Sequence, residues 1–252
     1  MVSARLTGLV CGSILLLGAV AQAAPMSQTP GDPGLRDSRV GQDVPNISGV
    51  WTNRAPYTRQ LAPIEGGDPP MLPWNKAKFD ERAAAEKAGH PLYDPTAMCM
   101  PSGIPRLFAA PYPIEVVQTP ERTVILYEVQ HLFRIIHMNS QHPKDLKPSF
   151  MGHSIGHWEG DVLVVDTIGM TPQSQIDETG VMHTGAIHVV EHIQKVGGLL
   201  EFNVTIDDPG AFSRPWQAKR VFEWKPKTRF IEYVCEENNR NVPGADGVLR
   251  GF

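Results

Sequence analysis

The chain carries nine histidines: His90, His131, His137, His142, His153, His157, His183, His188 and His192. Imidazole is the side chain whose ordinary pKa lies near neutrality, so it supplies bases, acids and metal ligands. His188 and His192 enclose Glu191 in the order H-x-x-E-H, which on a helix sets two imidazoles on one face around zinc. Here Ile187, Val189, Val190 and Ile193 favour a strand. On a strand the two histidines share a face but stand roughly 13 Å apart, with Glu191 on the opposite face, so one ion cannot be held by all three. A metal gathered from separate strands by His153, His183 or His188 stays open as an alternative. The reading adopted is acid–base chemistry with no metal and no organic cofactor.

Residues 152–156 fit G-x-S-x-G. In hydrolases that serine sits on a turn between a strand and a helix, whereas here Glu159, Gly160 and Asp161 form a turn into another strand. An acyl-transfer role for Ser154, with His183 and Asp166 as partners, is therefore disfavoured. Gly152 and Gly156 are read as small because a neighbouring backbone or a ligand comes close. No glycine-rich nucleotide loop follows a strand, which argues against a dinucleotide oxidoreductase.

Charged residues also interrupt apolar strand faces. Glu191 shares a face with Ile187, Val189 and Ile193; Arg220 with Trp216, Ala218, Phe222 and Trp224; Asp166 with Val162 and Val164. Glu128 lies with Val124 and Leu126, and Arg134 with Leu132 and Ile136. An ionised group does not sit unpaired in an apolar interior. These groups either pair with one another or line a polar cavity of the kind that takes a small molecule. His153, Asp166, His183 and His188 are the catalytic candidates, and Glu191, Arg220, Trp158 and Tyr233 the substrate-binding ones. All are expected around a barrel cavity, where a histidine beside a carboxylate acts as a base and an arginine holds an anionic group.

The elements that must position these residues are mostly strands. Apolar and β-branched runs recur at 47–51, 114–118, 123–129, 131–138, 150–158, 162–167, 187–195, 199–207, 216–224 and 229–236, separated by turn residues such as Gly197 and Gly198. This predicts a mainly β fold, an antiparallel up-and-down barrel of about ten strands. One helix is predicted over 73–87, with Gly89 able to cap it. The Pro-rich stretch from Thr52 to Tyr112 is expected to wrap the outside.

Gly49, Val50 and Trp51 match the G-x-W opening of lipocalins and other calycins. Segments 47–51, 111–115, 152–154, 158–167, 188–191, 205–209 and 232–238 resemble a family of secreted bacterial proteins without an established activity. The resemblance covers most of the chain that follows the expected signal peptide. It implies a shared calycin-like fold and a shared site, and supplies no reaction.

Residues 1–24 read as a signal peptide: Arg5, an apolar run over 6–17, then Ala21, Ala23 and Ala24 at an A-x-A-like cleavage site. Residues 25–45 read as a flexible leader and 46–252 as a single domain. Export to the periplasm or beyond is expected, and in an oxidising compartment Cys99 and Cys235 form the natural pair. The full chain has a formal charge of −4 without basic runs, which argues against nucleic acid and, after signal cleavage, against a membrane as partner. The expectation is an exported, cofactor-independent hydrolase, lyase or isomerase for an apolar or aromatic small molecule. A non-catalytic lipocalin-like carrier or sensor is the alternative, and a purely structural envelope protein the third.

Overall fold

The computed structural model describes residues 44–54, 58–92, 94–237 and 244–245 in full, and the backbone at 39–40, 242–243 and 249–250. The expected signal peptide lies outside the described residues, as does most of the expected leader. At the end of that leader β1 (Arg39–Val40) pairs antiparallel with β2 (Val44–Pro45).

Nine strands close into one barrel. They are β3 (Gly49–Asn53), β4 (Ile114–Gln118), β5 (Arg122–Tyr127), β6 (Phe133–Met138), β7 (His153–Glu159), β8 (Val162–Ile168), β9 (His188–Val196), β10 (Leu199–Asp207) and β11 (Trp216–Trp224). Around the wall they run β10-β11-β3-β4-β5-β6-β7-β8-β9, with β9 returning to β10. A further short pair, β12 (Val242–Pro243) and β13 (Leu249–Arg250), lies near the C-terminus.

Two features correct the up-and-down expectation. First, β6 and β7 are parallel, registered at Ile136 with Ser154 and Met138 with Gly156. Residues 139–152 are too many for a hairpin turn; they carry the chain back along the wall before β7 begins. Second, residues 229–236 form no strand. β11 already bonds β10 on one side and β3 on the other, so a closed wall offers it no edge. The chain instead lies across the outside as a strap, where the amide of Ile231 donates to Glu128 and that of Tyr233 to His131.

The barrel is filled. Leu163, Val165, Thr167, Val189, Glu191, Ile193, Phe202 and Val204 on the inner faces of β8, β9 and β10 are at most 1% exposed. At one end Phe108, from the 3-10 turn Arg106–Ala109, meets Phe202 edge to face. The helix α1 (Pro73–Lys87) begins on a proline whose missing N–H costs nothing there. Fully buried Asn75 pins it, donating to the carbonyls of Met182 and Ala211 and accepting from the amide of Met182. The Pro-rich segment lies outside only in part: it bridges to β11 at Pro63 and to Phe212 at Met71, while Leu61, Ile104, Leu107 and Phe108 are buried in the core, so the expectation of a purely external wrap is corrected.

Candidate functional site

Strand alternation sorts the predicted residues onto two sides of the wall. On β8 the inner residues are Leu163, Val165 and Thr167, so Asp166 faces out with Val162 and Val164. On β7 His153 faces out and Ser154 in; on β9 His188 faces out and Glu191 in. Register then sets His153 opposite Ile168 and Asp166 opposite Val190, bringing the outward residues of three adjacent strands together.

The outer cluster centres on Asp166. His188 Nε2 is 2.7 Å from Asp166 Oδ2, and His142 Nε2 is 2.9 Å from Oδ1. His142 Nδ1 lies 2.8 Å from His153 Nδ1, and His137 stacks on the His153 ring at 5.0 Å with planes 8° apart. With Asp166 accepting from both Nε2–H groups, His142 carries its lone pair on Nδ1 and accepts from His153 Nδ1–H. His153 Nε2 makes no hydrogen bond among the described residues and holds the lone pair at the end of the chain. Partial burial, then the charges of His137 and His142, hold the His153 imidazole below its ordinary pKa, so it is neutral and basic at neutral pH.

His153 lines a groove of about 350 Å³ over the seam between β6 and β7. The seam opens because parallel pairing starts only at Ile136 and Ser154. Leu132, Phe133, Ile135 and Met151 give the groove an apolar lining beside His137 and His153. Phe133 is 59% exposed. Three of the four catalytic candidates, His153, Asp166 and His188, are thus gathered, but on the outer wall and not in a cavity.

The other candidates lie elsewhere. His183 is buried; its Nδ1–H donates to the carbonyl of Thr184 at 2.9 Å, and its Nε2 meets Ser174 Oγ at 2.9 Å. Burial lowers its pKa, opposed by the Thr184 carbonyl and the charge of Asp208. Glu191 sits inside the barrel in a bidentate pair with Arg134, with Nη1–Oε2 at 2.8 Å and Nη2–Oε1 at 2.6 Å. Arg134 also donates to Ser154 Oγ and Thr167 Oγ1. Burial disfavours the guanidinium, but the charge and hydrogen bonds of Glu191 outweigh it and raise its pKa. Ser154 is therefore committed to a buried network and not placed as a nucleophile. Arg220 donates to Thr58 Oγ1 and to the carbonyls of Thr58 and Gln60. Trp158 packs on the core at the end of β7, and Tyr233 meets Tyr112 edge to face at 5.7 Å.

Sequence reasoning missed His137 and His142. His137 alternates with Phe133 and Ile135 on the outer face of β6, a signal that was present but needed the parallel register to acquire meaning. His142 stands directly before Pro143 in the irregular crossover, where periodicity carries no information. Among the described residues no group of three or more His, Cys, Asp or Glu side chains is arranged to hold a metal ion. Both nitrogens of His142 are engaged with different partners, which spreads the cluster into a chain instead of converging it on a point.

The chain matches no protein-family model and none of the curated proteins compared with it. The fold defined here is a closed nine-stranded barrel compatible with a calycin-like architecture.

Proposed function

We propose that this protein is a cofactor-independent acid–base enzyme, a lyase, isomerase or hydrolase, acting on an apolar or aromatic small molecule in the groove beside His153. The observation that carries this reading is the hydrogen-bonded chain Asp166–His142–His153, ending in an imidazole held neutral beside an apolar surface. A general base works best with a pKa near the working pH and a substrate proton within hydrogen-bond reach of its lone pair. When His153 Nε2 takes a proton, His142 Nδ1 accepts from the resulting imidazolium, and Asp166 steadies the charge through His142. His188, the second donor to Asp166, orients the carboxylate. Leu132, Phe133 and Met151 supply the apolar contact that holds a substrate by area rather than charge.

We also propose that the barrel belongs with the secreted bacterial family that the sequence resembles, and that the protein works outside the cytoplasm. The bonded pair Cys99–Cys235 supports export, since such bridges persist in oxidising compartments. No helix among the described residues is long and apolar enough to cross a membrane.

The test is incubation of the protein with a pool of uncharged aromatic and apolar metabolites in deuterated water, followed by mass spectrometry. One or more compounds should be consumed or gain deuterium at carbon, equally with and without chelator. His153→Ala should abolish the change while the melting temperature holds. Recovery of a bound but unaltered compound from both proteins would identify a carrier instead.

A further inference from the structure

We propose a second binding site, for an uncharged, hydroxyl-rich small molecule such as a sugar or polyol, at the end of the barrel where β5 turns into β6. A cavity of about 290 Å³ lies there, with Asp94, Ser102, Arg106, Tyr112, Gln130 and Tyr233 among its lining. It is separate from the His153 groove and shares none of its lining residues.

The lining is polar, yet its charges are matched. Arg106 donates to Asp94 Oδ2 at 2.7 Å, and Arg82 reaches the same oxygen at 3.3 Å. Arg59 contacts both Glu86 and Glu178. A cavity whose cations and anions already neutralise one another gains little from an ionic ligand. The Asp94 carboxylate is taken up by Arg82, Arg106 and Thr96, so the groups left for a ligand are neutral hydroxyls, those of Thr96, Ser102, Tyr112 and Tyr233, which suit the hydroxyls of a polyol. The phenol oxygens of Tyr112 and Tyr233 make no hydrogen bond among the described residues, so both can donate and accept. An aromatic surface with a polar tip serves a ligand that is apolar on its faces and polar at its edge.

The walls are fixed in advance. Gln130 Oε1 accepts from the amide and hydroxyl of Ser102, and its Nε2 donates to the carbonyl of Met100. Tyr233 is held by its backbone N–H, which donates to His131 Nε2, and by the neighbouring Cys99–Cys235 bridge. Gln130, one of the four non-glycine positions with positive φ among the described residues, lines this cavity. Backbone held in sparsely populated conformations concentrates at sites that bind.

The experiment is a titration of the full chain, followed by NMR shifts at Tyr112, Gln130 and Tyr233. The probes are glucose and maltose, with glucuronate as the anionic control. Saturable shifts with the neutral sugars are expected. Tyr233→Ala should weaken binding at least tenfold, and Tyr112→Phe and Tyr233→Phe, which keep the rings and remove only the hydroxyls, a few-fold. His153→Ala should leave it unchanged. The proposal is overturned if neutral sugars give no saturable shift, if glucuronate binds more tightly than glucose, or if all three tyrosine variants bind like the parent.

Discussion

At the level of single residues the site depends on which side of His153 is wet. Its Nδ1 is committed to His142, its face is covered by His137, and its Nε2 is left for a substrate. Burial and the two neighbouring imidazoles both disfavour its cationic form. The acid limb of kcat/KM, which reports protonation of the free base, should therefore fall below about 6.5, the ordinary histidine value. Replacing His137 with Ala removes one repelling charge and admits water. Both changes favour the imidazolium, so the limb should move up towards 6.5 while the high-pH plateau changes less. A limb that stays in place in His137→Ala would remove His153 as the titrating base. Three members of this cluster were legible from residue type and strand position. The other two were not: His137 needed the parallel register of β6 and β7, and the place of His142 depends on how an irregular crossover lies against the wall.

At the level of strands, alternation correctly separated Asp166 from Thr167 and His153 from Ser154 but could not say which set faces in. Both sets on β8 read as apolar, since Val162 and Val164 flank Asp166 outside while Leu163 and Val165 flank Thr167 inside. The inner set is identified only by closure. Gly156 shows the same closure at work: a Cβ there would stand 2.7 Å from Ile136 Cγ2, so the tight β6–β7 seam explains the glycine. The expectation that embedded charges pair was met at Glu191, whose partner is Arg134 three strands away in β6. Breaking such a buried pair leaves one charge unmatched and costs about 3–5 kcal/mol. Glu191→Ala should show a loss of that size in urea unfolding. The double variant Arg134→Met, Glu191→Leu should recover much of it, because an apolar pair leaves no charge to solvate. Equal losses in the single and double variants would show that the pair does not carry the cost.

Across the whole molecule the described parts hold together through side-chain and covalent ties as much as through the sheet. The strap at 229–236 has no ladder of its own and is fixed by Glu128, His131, the Tyr112–Tyr233 contact and the Cys99–Cys235 bridge. That bridge spans 136 residues of sequence and joins the Pro-rich wrap, near the 3-10 turn Pro95–Met98, to the strap. The pairing was legible because two cysteines follow the expected signal peptide, whereas the strap was misread as a strand because its apolar residues alternate like one. Ile231 and Val234 are in fact 69% and 49% exposed. Closing so long a loop restricts the unfolded chain, and for bridges of this span the stabilisation amounts to about 4–5 kcal/mol on a chain-entropy view, commonly less when measured. Cys99→Ser with Cys235→Ser should therefore lower the urea midpoint by an amount equivalent to about 2–5 kcal/mol. The far-ultraviolet β signal should persist, since all nine barrel strands pair without the bridge. Hydrogen exchange at the Ile231 and Tyr233 amides should accelerate well before that of the barrel strands, because only two side-chain acceptors then hold the strap. An unchanged midpoint, or two free thiols in the unfolded, unreduced parent, would remove the bridge from this account. Loss of the β signal would show instead that the wrap and strap are needed for the barrel to close.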